Sequence, residues 1–259
     1  MKATDTVLAE LRKSATLPAT AVAAGIAVLG CAGIALLNAV HVRDAPAAGR
    51  ADLVGYTAPA EAVFSAAPLG AVGAVVLGVT AVSSEYAINS PGAGGGRQVL
   101  ATLTAIPRRP ELLVAKALVV ALLVAATAAV ALPVSLAIVH AVAGPVAADG
   151  LLARSVGAGI YWMLTALMAM AVTVFARGGV LPLIVLITNS SLVSVSVLLA
   201  KVTPLAFWLP DLAGMRLFAG DLVVGADRAL DAPTGGLVMA AWTAALLAAA
   251  AAVLVRRDA

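Results

Sequence analysis

Charge is scarce in this sequence, and so are cysteine, histidine and aromatic residues. Of 259 residues only 11% are charged and 4% aromatic, with one cysteine and two histidines, while 63% are hydrophobic and mean hydropathy is +1.08. Soluble domains carry roughly 25% charged residues, so this supply cannot cover an aqueous surface, and the chain reads as an all-α integral membrane protein. Cys31 sits alone in an apolar run and can form neither an intrachain disulfide nor a cysteine-based metal site. His41 and His140 are solitary and read as structural, so no metal is expected. The net charge of +3 and pI near 9.4 would suit a nucleic-acid binder. The basic residues, however, sit at the ends of apolar runs with no array of aromatics beside them, so nucleic acid is not an expected partner. The glycine-rich PGAGGGR at 91–97 lacks the Lys-Ser or Lys-Thr of a phosphate loop and follows no strand. No Ser, His and Asp stand at a common depth, and no paired-Asp motif occurs. The chain is therefore expected not to be an enzyme and to hold no cofactor of its own.

What is abundant is apolar sequence, in runs that set the expected organisation: one transmembrane domain over 1–259 with six spans at about 19–40, 62–82, 112–142, 152–175, 180–200 and 236–255. Residues 1–18 place Val7, Leu8 and Leu11 on one side of a helix, which suits an interfacial helix before the first span; a frayed terminus is the alternative. The second run is rich in Gly and Ala, which let membrane helices approach closely. The third is too long for one perpendicular span, so Pro133 is expected to kink it, or the helix to tilt beyond the membrane. Tyr161 and Trp162 lie somewhat deep for an aromatic belt. Residues 201–235 mix apolar residues with Asp211, Asp221, Asp227 and Asp231 and suggest an outer re-entrant or interfacial hairpin. Asp211 and Asp221 read as solvated loop acids, or as contacts for a cation.

With six spans, the side of the termini holds Lys2, Arg12, Lys13, Arg97, Arg108, Arg109, Lys116, Arg177, Arg256 and Arg257, ten of the sixteen basic residues. The positive-inside rule then puts both termini, and the segment between spans 2 and 3, in the cytoplasm. That segment carries Val99, Leu100, Leu103 and Ile106 at helical spacing, a short amphipathic helix stopped by Arg108, Arg109 and Pro110. Such a helix between two spans can relay a push from a soluble partner, or merely anchor the loop.

The run VLGVTAVSSEY followed by RQVLATLTAIPRRPELLVAK resembles the permease subunits of ABC-2 type transporters, at Glu85, Tyr86, Thr102, Leu103, Thr104, Pro107, Arg108, Arg109, Leu112, Leu113 and Lys116. Residues 89–96 depart from that pattern as a flexible insertion or broken helix. The resemblance implies a plasma-membrane exporter of amphipathic or hydrophobic molecules, paired with a second permease copy and driven by a separate ATP-binding cassette subunit that binds ATP and Mg. It implies that Arg97, Leu100, Leu103, Arg108 and Arg109 form a cytoplasmic coupling helix docked on that subunit, with Glu85 and Tyr86 nearby. Glu85 could instead be an interfacial carboxylate beside Arg97 or Arg108. In the fifth span Thr188, Asn189, Ser190, Ser191, Ser194 and Ser196 interrupt an apolar helix. Asn189, Ser190 and Ser194 are candidates for a translocation path or subunit interface, although hydroxyls also bond back to their own helix. The rival function is a membrane scaffold or immunity-type binding protein that transports nothing. A secondary transporter would want intramembrane carboxylates, and the expected spans lack them in their central portions.

Overall fold

The computed structural model describes residues 3–44, 58–86, 109–191, 194–220 and 230–256. Among these residues there is no strand, and ten α-helices carry the chain. They are α1 (Ala3–Thr16), α2 (Pro18–Asp44), α3 (Pro59–Phe64), α4 (Ala67–Ser83), α5 (Arg109–Ala143), α6 (Leu151–Ala176), α7 (Val180–Ser191), α8 (Val195–Ala200), α9 (Pro210–Met215) and α10 (Ala232–Arg256). Short 3-10 turns cover Ser84–Tyr86 and Pro204–Trp208. Five stretches, Pro18–Asp44, Pro59–Tyr86, Pro110–Ala143, Leu151–Ala176 and Ala232–Arg256, are long and apolar enough to cross a membrane. The apolar side chains they expose, such as Leu29, Leu37, Leu122 and Leu237, have no aqueous rationale. The protein is membrane-embedded.

Helix α4 is the centre of the bundle. Of the most apolar window in its stretch 78% is buried, against 22% for α2 and 17% for α10, so α4 faces protein and the other two largely face lipid. Glycine makes this possible: a Cβ on Gly70 would lie 1.8 Å from the Trp162 ring, and one on Gly78 would lie 2.0 Å from the Ala166 carbonyl oxygen. The small-residue composition of the second apolar run is thus used for close approach of α4 to α6. Gly73 meets Ala23 and Ala27 while Gly30 meets Leu69, so α2 runs antiparallel to α4; the Gly70 and Gly78 contacts make α4 and α6 parallel. One end of the bundle, here the terminal end, gathers the starts of α2 and α5 with the ends of α4 and α6. The opposite end gathers the starts of α4, α6 and α10 with α3 and α9.

Pro68 cannot donate an N–H to the preceding turn, and the helix resets there, dividing α3 from α4. Polar groups of α2 and α6 satisfy the break. Asn38 Nδ2 donates to Ser65 Oγ at 2.9 Å, Cys31 Sγ to the Ala66 carbonyl at 3.4 Å, and Trp162 Nε1 to the Ala67 carbonyl at 2.9 Å. Trp162 is fully buried, so it and Tyr161 belong to the core and not to an interfacial belt.

Two expectations change. The fifth expected span, 180–200, is two helices, α7 and α8. Asn189 Oδ1 accepts the Val195 N–H at 3.0 Å and Ser194 Oγ accepts the Val197 N–H at 3.2 Å, so side chains take the donors a continuous helix would use. With 12 residues α7 reaches about 18 Å, short of a roughly 30 Å hydrocarbon layer. The third expected span starts earlier than residue 112, because Arg109 and Pro110 begin α5, where proline lacks a donor the helix would not use. Helix α5 continues through Pro133 for 35 residues, about 52 Å, and so outreaches the bilayer. The turn 177–179 forms as expected, with Arg177 at φ 53° and Gly179 packed on Ser83.

Candidate functional site

At the terminal end, three helices bring four charges together inside the protein. Lys116, two turns into α5, donates to Glu10 Oε2 of α1 at 2.7 Å and to Glu85 Oε1, just past α4, at 2.7 Å. Lys13 of α1 donates to the same Glu85 oxygen. Glu10, Glu85 and Lys116 are 6%, 3% and 4% exposed, so their charges are stripped of most water and hold only because they alternate in sign. The chain Glu10–Lys116–Glu85–Lys13 is neutral as a set. Beside it a cleft opens between the α1–α2 elbow, α4 and α5, lined by Ser14, Leu17, Thr20, Thr80 and Ser84 among others.

Helix α1 turns a polar edge to the bundle. Its buried positions are Thr6 and Glu10, whereas Leu8 is exposed. Polar pairing, not apolar packing, turns that face inward.

The opposite end has a different charged site. Arg154, in the first turn of α6, grips Glu61 of α3 with two bonds of 2.9 Å, donates to the Phe218 carbonyl at 2.7 Å and lies 4.1 Å over the Phe64 ring. Nearby, Arg216 donates to the Gly220 and Leu230 carbonyls. Asp231 caps the start of α10 by accepting from the Thr234 hydroxyl and backbone N–H, which hold its carboxyl below the ordinary carboxylate range. Ser194 Oγ donates to Asp211 Oδ2 at 2.8 Å and Asn189 Nδ2 to the same oxygen at 3.3 Å, so Asp211 ties the α7–α8 break to α9 and is not a solvated loop acid.

Of the expected coupling residues, Arg97, Leu100, Leu103 and Arg108 lie outside the described residues, and Arg109 is described only as the first residue of α5. Glu85 is buried, with Lys116 and Lys13 as partners; Tyr86 packs against the main apolar cluster. Asn189 and Ser194 meet at Asp211, while Ser190 is half-buried beside them. Sequence reasoning missed the pairing of Glu10 with Lys116 and of Glu61 with Arg154. A signal existed: Lys116 stands in an apolar run, and an ionisable group at such a place needs an opposite charge on another helix. Among the described residues no group of three or more His, Cys, Asp or Glu could hold a metal ion. Compared with known proteins, the chain matches no family model and no curated protein.

Proposed function

We propose that the chain is the permease subunit of an ABC-2 type transporter, driven by a separate ATP-binding subunit and exporting an amphipathic or hydrophobic molecule. The observation that carries this reading is the Glu85–Lys116 ion pair of 2.7 Å. Glu85 precedes the segment 87–108 and Lys116 follows it, so the pair fastens together the two roots of the segment on which a partner would push. Lys13 and Glu10 extend that fastening to α1, and a displacement of the segment would reach α1, α4 and α5 together.

In this reading the chain is not itself an enzyme, the terminal end is cytoplasmic and the membrane is the plasma membrane. The pair α7 and α8 serves as a broken fifth crossing, and the short elements between it and α10, Pro204–Trp208 and α9, belong to an outer re-entrant or interfacial hairpin. ATP and Mg bind the partner, and a second permease copy completes a cavity exposed alternately to each side. The test is co-expression with a candidate ATP-binding subunit encoded nearby. The double substitution Arg108→Glu and Arg109→Glu is expected to abolish co-purification and the ATP turnover that the complex supports. Unchanged assembly and turnover would sink the proposal.

A further inference from the structure

We infer that α1 is a releasable latch, held on the bundle by an ion-pair network that separates into two neutral halves. Glu10 and Lys13 are three residues apart on one helix, a spacing at which opposite charges pair on the same face. Glu85 and Lys116 already bond each other within the bundle. Undocking therefore gives up two cross-pairs, Glu10–Lys116 and Lys13–Glu85, gains one pair on α1 and keeps the Glu85–Lys116 pair on the bundle. Neither side is left with an uncompensated charge among the described residues, which is what makes breaking an ordinary buried pair so unfavourable.

Three further observations fit a part that moves as a unit. No α1 side chain enters any of the three apolar clusters of the described residues. Only Leu17 separates α1 from α2, and Pro18 stops the backbone ladder from running through, which makes the junction a hinge. The cleft beneath that elbow, lined by Ser14, Thr20, Thr80 and Ser84, has space for about one water, so the elbow is not close-packed on the bundle. The latch stands on this geometry alone and does not require the transporter reading.

The experiment uses the full chain in lipid nanodiscs, with Cys31→Ala and a reporter at the buried position 6, Thr6→Cys, labelled by a maleimide. Replacing the α1 pair by Glu10→Gln and Lys13→Met removes charge-assisted bonds, so labelling should accelerate by about tenfold or more. The thermal midpoint of the bundle should hold, because Glu85 and Lys116 keep each other. Lys116→Met, which breaks the half that stays behind, should lower that midpoint. If the α1 double variant lowers the midpoint as far as Lys116→Met does, α1 is an integral part of the core and the latch is wrong. Unchanged labelling with an unchanged midpoint overturns it equally, since α1 would then be held by something other than these charges.

Discussion

The two charged sites at opposite ends of the bundle solve the same problem with different chemistry. At the opposite end a guanidinium serves four partners at once: both oxygens of Glu61, the Phe218 carbonyl and the face of Phe64. Its fork is planar and fixed, so it has one good arrangement. At the terminal end two ammonium groups share two carboxylates, and an ammonium is a compact charge that can change partners with little regard to angle. The arginine site rivets α3, α6 and the turn after α9 together. The lysine site holds α1 in a way that can be undone without stranding a charge.

The comparison breaks most visibly at Arg154. Arg154→Met leaves Glu61 and the Phe218 carbonyl without their partner and is expected to destabilise the bundle by about 3–5 kcal/mol, read from denaturation in detergent. Arg154→Lys should recover little, because one ammonium cannot reproduce the fork. At the other end Lys116→Met should remove about 3 kcal/mol, less than the arginine change because Lys13 still neutralises Glu85. Adding Glu10→Gln to Lys116→Met should restore part of the loss, and a double-mutant cycle should return a coupling of about 1 kcal/mol or more. Asn189→Ala, which removes neutral hydrogen bonds at the α7–α8 break, should lower stability by about 1 kcal/mol and leave α1 untouched. Arg43→Ala should not shift the thermal midpoint measurably, because its pair with Asp44 is exposed on both sides.

Much of the frame is legible in the sequence, because a bilayer demands about 20 apolar residues for each helical crossing and such runs are hard to hide. The stretches around 18–44, 59–86, 110–143, 151–176 and 232–256 follow from that demand, and the Gly and Ala of α4 announce a close helix contact. The α7–α8 break is not legible, because residues 180–200 are apolar enough for one span and only side-chain bonds from Asn189 and Ser194 divide them. Nor is the terminal-end network. Glu10 and Lys116 are 106 positions apart, and hydrophobic periodicity carries no information on which distant charge a buried lysine meets. Tyr161 and Trp162, somewhat deep for an aromatic belt in the sequence, are core residues, and the small Gly70 opposite Trp162 makes the room for its ring. The expected coupling helix around 97–108 lies outside the described residues, so its neighbours Glu85 and Lys116 carry what the site says.

The contrast between a rivet and a latch is tested most directly by hydrogen exchange of the unmodified chain in lipid nanodiscs, comparing the amides of α1 with those of α3 and the first turns of α6. The account predicts that α1 opens on its own and exchanges at least about tenfold faster than the helices joined by Arg154. Equal protection at the two ends, or slower exchange in α1, would contradict it.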